Sequence, residues 1–387
     1  MKLLRITFEN IPLFEHEFSI DFLAPKSITL DDQDKLYKLG ERFYINPVLA
    51  FTGLNASGKT IALNLLIFVL KMMQNIPLNQ ISEKRALHMK SDERIGLKVF
   101  FQEKTDAWLL QSDITKTADP DERLVFLDEQ LSVYKGALKK PKNRLFDLSN
   151  YKTAADRKSI AKYLAADGSM IVQFNNEHND QLYLCENPNF TNHRNAKTML
   201  QIPDELLLFF DPSIEYLKFD SDSSQKKFTG ARLKFYGANE LRLTSFDDLK
   251  LYLSAGTLKG LGLFASAFSV MDHGGYLVVD DLESHLHPQI AASLIKMFLD
   301  PNINKNGGTL VFSTHNPLLL DEMDRNDCIY ILRKTGRSAL TRLDEVLSRK
   351  DIKKSDAFIS GYLEGTAPDY VRYRDLRRVV VKKYREN

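Results

Sequence analysis

Apolar residues follow three rhythms along this chain. Between residues 2 and 22 they alternate, with Leu4, Ile6 and Phe8 on one face. Phe14, Phe18, Ile20 and Phe22 follow after a break at Asn10-Ile11-Pro12. A period of two predicts half-buried strands, here two antiparallel strands joined by a loop and leading into the core. Residues 25–44 show neither period and predict a surface loop over the site. Residues 47–50 are a continuous apolar run, which predicts a buried strand. Ile61 to Leu70 predict a helix ending on Lys71, a basic residue suited to the negative end of a helix dipole. Strand character returns over residues 95–135. There Ile95, Leu97, Val99 and Phe101 alternate, Trp108-Leu109-Leu110 follows, and residues 125–134 predict a hairpin around Asp128-Glu129-Gln130. An antiparallel subdomain is expected there. Residues 136–235 are the least periodic, with helices expected at 153–166 and 203–210. After residue 250 a helix apolar at Leu258, Leu261, Phe264, Ala265 and Phe268 precedes three buried strands near 275–279, 309–312 and 328–332.

Chemistry is concentrated where these elements end. The buried strand, a glycine loop and the helix make residues 53–60, GLNASGKT, a G-x-x-x-x-G-K-[ST] phosphate site rather than a chance turn. Backbone N–H groups of Asn55, Ala56, Ser57 and Gly58 turn toward phosphate oxygens, aided by the helix N-terminus. Lys59 reaches the β- and γ-phosphates, and the Thr60 hydroxyl holds Mg²⁺. A nucleoside triphosphate, ATP, is the expected ligand. The strand ending at Val279 runs into Asp280-Asp281, a pair suited to positioning Mg²⁺ and orienting a hydrolytic water, with Glu283 close behind. His315 follows another buried strand, where its imidazole can meet a γ-phosphate. Ser254 opens a helix and reads either as an N-cap or as part of a second anion site with the amides of Ala255 to Thr257.

Composition narrows the setting more than the function. The chain has 387 residues, 43% hydrophobic and 27% charged, with a net charge of +2, so its overall field selects no partner. Cys185 and Cys328 lie far apart and form no C-x-x-C pair, so free thiols in a reducing cytoplasm are expected, without zinc or disulfides. No run approaches the roughly 18 apolar residues of a membrane span, and no signal peptide is recognisable. Lys135, Lys139, Lys140, Lys142 and Arg144 form a basic cluster that reads as a solvated loop or, alternatively, as a patch for nucleic acid or an acidic partner. A second cluster, Arg372, Arg374, Arg377, Arg378, Lys382, Lys383 and Arg385, crowds the last residues and reads as a solvated helix face or an arm for an acidic partner in preference to a contact with phosphates. Gln102 is a weak candidate for a residue sensing Mg²⁺ and water.

Taken together, GLNASGKT, LSAGT, VVDDLESHLHP and FSTHNP resemble the nucleotide-binding domain of ABC-type ATPases, nearest to the soluble SMC/RecF/OLD branch. The resemblance spans roughly residues 1–75 and 245–335. It implies an α/β P-loop NTPase core of ABC type, a mixed sheet flanked by helices, with an antiparallel β subdomain and an inserted, partly helical lobe. The expected division is a first half of the core (1–94), the subdomain and lobe (95–245), the second half of the core (246–335) and a basic extension (336–387). It implies that two copies sandwich two ATP molecules head to tail, in an even-numbered oligomer. Lys59 and Thr60 of one copy and Ser254 and Gly256 of the other would grip the same triphosphate. Asp280 would position Mg²⁺, and His315 would act as the switch histidine. One departure stands out: the branch usually has glutamate where this chain has Asp281, so Asp281 or Glu283 serves as base and hydrolysis should be slow or partner-gated. Residues 336–387 are too few for a fused Toprim nuclease. The expected role is therefore an ATPase of bacterial anti-phage or abortive-infection systems, OLD-like or PARIS-type. A phage product would be its trigger, and it would control a separate effector nuclease, Toprim-like in preference to HNH. A RecF-like DNA-repair ATPase is the alternative, with nucleic acid as partner.

Overall fold

The computed structural model describes the chain except residues 25–27, 119, 161, 180, 187–202, 222–227, 335, 348–351, 364–365, 367–369 and 386–387. In chain order its strands are β1 (Lys2–Glu9), β2 (Phe18–Asp21), β3 (Tyr37–Lys38), β4 (Tyr44–Ile45), β5 (Val48–Gly53), β6 (Arg94–Glu103), β7 (Asp106–Lys116), β8 (Leu124–Tyr134) and β9 (Lys152–Asp156). They continue with β10 (Leu184–Glu186), β11 (Ile214–Ser221), β12 (Phe228–Phe235), β13 (Leu241–Leu243), β14 (Tyr276–Val279), β15 (Thr309–Thr314), β16 (Ile329–Lys334) and β17 (Ser338–Arg342). Two six-stranded sheets dominate. The first runs β10-β14-β15-β5-β16-β17, parallel except for β17 at its edge. The second is antiparallel and runs β2-β1-β6-β7-β8-β9, while β11-β12-β13 form a small antiparallel sheet of their own. This mixed α/β architecture fits a P-loop NTPase.

The strands of the parallel sheet are apolar on both faces because helices cover them. β5, β14 and β15 are buried at every position. The helix Lys59–Met73 is buried almost all round, from Ala62 to Met73, as a helix covered on several sides must be. One core cluster runs from Leu3, Phe8 and Phe18 through this helix to Leu310 and Ile331. Two buried tyrosines pin the sheets together: Tyr276 Oη accepts from Leu3 N at 2.7 Å, and Tyr330 Oη accepts from Asp21 N at 2.7 Å.

β1 and β2 form as the alternation predicts, but they join the antiparallel sheet through β6, so residues 1–94 feed both sheets. The region 95–135 is antiparallel, and Asp204–Phe210 is helical as expected.

Three expectations are corrected. Residues 125–134 make no hairpin: β8 is continuous and absorbs Leu127 as a bulge, since Asp113 pairs with Asp128 and Ile114 with Phe126. Residues 153–166 do not form a helix. Residues 152–156 instead complete the open edge of β8 as β9, and a single turn, Arg157–Ile160, follows. Residues 28–44 do not cover the P-loop. They pack against the opposite, N-terminal edge of the parallel strands, where Arg325 Nη1 meets Asp32 at 3.0 Å and Tyr37 abuts Gly307.

Candidate functional site

In an open parallel sheet, ligand-binding loops gather beyond the C-terminal ends of the strands. Residues 53–60 leave β5 there, residues 280–283 leave β14, and His315 follows β15. The loop needs its glycines: Gly53 has φ +151° and Gly58 has φ +108°. A Cβ on Gly53 would lie 2.3 Å from Leu332 O, and one on Gly58 would lie 2.8 Å from Ser338 Oγ. Ser338 Oγ also donates to Ser57 O at 2.9 Å, so β17 braces the loop from behind. Lys59 Nζ donates to Gly53 O at 2.9 Å and Leu54 O at 3.1 Å, and lies 3.3 Å from His315 Nδ1. Burial pushes the Lys59 amine below the usual lysine range, against the opposing pull of Asp281, Asp280 and Glu283.

The carboxylates come from the β14 exit and are ordered by β15. Val279 pairs with Phe312, so the next step sets Asp280 beside Ser313. Ser313 Oγ donates to Asp280 Oδ1 at 2.5 Å and accepts from Asp281 N at 2.8 Å. Thr60 Oγ1 donates to the other Asp280 oxygen at 2.8 Å. Asp281 adopts a left-handed backbone, φ +49°, and its Oδ1 lies 3.5 Å from His315 Nε2, with both side chains half exposed. Glu283 faces the other way. Its Oε1 accepts from His315 N at 2.6 Å and Asn316 N at 3.1 Å, and its Oε2 accepts from Thr314 Oγ1 at 2.8 Å.

This donor set fits a magnesium nucleotide. Lys59 is satisfied by two carbonyls of its own loop, which phosphate oxygens can replace, and by the nearby His315 ring. Thr60 and Asp280 offer adjacent hard oxygen donors, and Mg²⁺ is commonly held by one or two carboxylates plus substrate phosphates. Consistently, the described residues contain no cluster of three or more His, Cys, Asp or Glu able to hold a metal alone. Beside the loop opens a cavity of about 590 Å³, lined by Gly53, Leu54, Asn55 and His315 on one side and Pro317, Phe358 and Ile359 on the other.

Lys59, Thr60, Asp280, Asp281, Glu283 and His315 therefore converge. Ser254 and Gly256 make no hydrogen bond to the phosphate loop among the described residues. Ser254 caps the helix Ala255–His273, its Oγ accepting from Thr257 N at 3.0 Å. Gly256 presses on the turn after β14, where a Cβ would sit 2.4 Å from His285 O. Ser313, Thr314 and Ser338 were not singled out from the sequence. Ser313 and Thr314 carried a signal, as polar residues closing a buried run, whereas Ser338 carried none.

Other marked positions lie apart. Gln102 donates to Lys104 O in the β6–β7 turn. Lys142 is no solvated residue, since its ammonium donates to Ala24 O and burial lowers its pKa. Cys185 and Cys328 are free thiols, half-buried and buried. The basic tail is a helix, Tyr370–Arg385, exposed along residues 370–384. No helix among the described residues is long and apolar enough to cross a membrane.

No curated protein matches the chain. The sequence model of one family, AAA_21, described as "AAA domain, putative AbiEii toxin, Type IV TA system", matches residues 48–321. That match runs from the strand before the phosphate loop to just past His315, well over half the chain, and includes every convergent residue named above. The chain belongs to this family of AAA domains.

Proposed function

We propose that the chain is an ABC-type ATPase that binds ATP and Mg²⁺ and works as a head-to-tail pair. We propose further that it serves as the nucleotide-dependent half of an abortive-infection system with a separate effector nuclease, Toprim-like in preference to HNH, and a phage product as trigger. The observation that carries the ATPase reading is the meeting of Thr60 and Asp280, 220 residues apart, at 2.8 Å beside Lys59. The abortive-infection setting rests on the family. In this reading β11–β13 and the helix Asp204–Phe210 form the inserted lobe.

Lys59 exchanges the carbonyls of Gly53 and Leu54 for phosphate oxygens, and the amides of residues 55–58 surround the triphosphate. Thr60 and Asp280 would hold a Mg²⁺, which when bound would supply charge neutralisation at the phosphates. Asp281, half-exposed and beside His315, takes the role of orienting water. Glu283, whose two oxygens already accept three hydrogen bonds, holds the His315 loop in place. Ser254 and Gly256 serve the second copy's nucleotide.

Steady-state ATP turnover tests this. Lys59→Ala and Ser254→Arg are each expected to abolish turnover, and mixing the two proteins should restore part of it through one intact composite site. Wild-type turnover by Ser254→Arg sinks the sandwich. Copurification with a neighbouring gene product, followed by mass measurement, tests the effector. A RecF-like DNA ATPase is the second reading, favoured by the exposed basic helix Tyr370–Arg385. It predicts DNA-stimulated turnover without a partner, and binding that falls steeply with salt.

A further inference from the structure

Ser338, the first residue of β17, uses its side chain and its backbone on two different parts of the chain. Its Oγ donates to Ser57 O in the phosphate loop at 2.9 Å. Its N–H donates to Leu13 O at 2.8 Å, and its carbonyl accepts from Glu15 N at 3.0 Å. Leu13 to Glu15 lie in the connection between β1 and β2, which Phe14 anchors in the core with its ring 4.7 Å from that of Phe18. Gly336 and Arg337 just before Ser338 are exposed, yet Ser338 itself is buried. Its backbone is thus pinned, and its hydroxyl reaches the loop from a fixed place.

The peptide so held bears on anion binding. In a trans peptide the carbonyl and the following N–H point in opposite directions. Fixing Ser57 O on Ser338 therefore aims the Gly58 N–H away from β17, and no hydrogen bond among the described residues occupies that N–H. Gly58 is also the N-cap of the helix Lys59–Met73, at the positive end of its dipole. A Cβ on Gly58 would lie 2.8 Å from Ser338 Oγ, so glycine is what lets the hydroxyl come this close. The same freedom lets a glycine peptide turn over. Turned over, it would present the Ser57 carbonyl oxygen to an incoming anion instead of an N–H.

We propose that Ser338 is a positioning residue for phosphate binding: its hydroxyl keeps the Ser57–Gly58 peptide turned so that the Gly58 N–H meets the triphosphate, and the β1–β2 connection keeps Ser338 in place. The proposal rests on the ATPase reading above. Through Ser338 the antiparallel sheet takes part in nucleotide binding without touching the nucleotide.

The test reads that peptide directly. Ser57–Gly58 and Ser360–Gly361 are the two Ser-Gly pairs in the sequence. The full chain labelled with carbonyl-¹³C serine and ¹⁵N glycine therefore gives two signals in a carbonyl-filtered amide NMR spectrum, and Ser360→Ala removes the one from Gly361. Titration with AMP-PNP and Mg²⁺ should shift the Gly58 signal of the wild type. In Ser338→Ala the Gly58 signal should already be displaced before nucleotide is added. The AMP-PNP Kd should rise about 10-fold, as for loss of one hydrogen bond to a charged group. Ser338→Cys keeps the volume with only a weak donor and should behave in the same way, which serves should the alanine protein not fold. A wild-type Kd in the folded variant, or a weaker one with the Gly58 signal unmoved, overturns the role of Ser338 and leaves the ATPase reading standing. A wild-type chain that binds no AMP-PNP overturns both.

Discussion

On the antiparallel sheet, Glu129 is fully buried yet saturated. It accepts from Ser169 Oγ at 2.6 Å, Met170 N at 2.7 Å, Ser112 Oγ at 3.0 Å and Arg157 Nη1 at 3.2 Å. Arg157 also donates from Nη1 to Gly168 O and from Nη2 to Ala165 O and Ala166 O, and lies over the Phe126 ring. On the parallel sheet, Glu283 accepts from the backbone amides of His315 and Asn316 and from the Thr314 hydroxyl, whereas Asp280 meets the hydroxyls of Ser313 and Thr60 and Asp281 is half-exposed beside His315. A carboxylate that is buried or bound by backbone amides holds structure, whereas one that meets exchangeable hydroxyls or solvent at a strand end is available to a ligand. By that criterion Glu129 staples Arg157, Ser169 and Met170 to β8, Glu283 is a local staple for the His315 loop, and in the proposed ATPase Asp280 and Asp281 would carry the chemistry.

The contrast can be broken by mutation. Glu129→Ala leaves a buried guanidinium and several donors without their acceptor, so urea unfolding should show a loss of about 3–5 kcal/mol. A loss below 1 kcal/mol would remove the distinction. Lys59→Ala acts oppositely, reducing ATP turnover by about 10²–10³-fold, in line with removal of one preorganised donor, with little change in unfolding midpoint. At the boundary, Asp281→Asn should cost turnover about 10²-fold, and Glu283→Gln about 10-fold with nucleotide affinity retained. The reverse ranking would make Glu283 the base. The smallest effect concerns pH. Burial, the largest influence on Glu129, raises its pKa above the ordinary 4.5. The folded state therefore holds the proton longer than the unfolded chain, and stability falls as pH rises from the ordinary value through the folded one. Urea midpoints across that window should decline for wild type relative to Glu129→Gln, and parallel curves would contradict this.

Much of the site was legible because its chemistry is written in contiguous motifs. GLNASGKT and the Asp280-Asp281 strand end each announce a backbone geometry as well as a side chain. Parts of the antiparallel sheet were not legible for the converse reason. Asp128-Glu129-Gln130 has turn composition, yet Glu129 belongs mid-strand because Ser112, Ser169 and Arg157 meet it from distant parts of the chain. Residues 152–156 became a strand because β8 offered an unpaired edge, a tertiary opportunity that local propensity does not record.

The sequence by itself determined the phosphate loop, the buried strands on either side of it and the acids that close β14, since each depends on neighbours within one strand–loop–helix unit. Only the tertiary structure decided how Asp281 and Glu283 differ. Two residues apart and chemically alike, they separate because Asp281 takes a left-handed turn toward His315, whereas Glu283 meets the amides that follow β15. The pairing of β14 with β15 brings those groups together, and no stretch of contiguous sequence contains it.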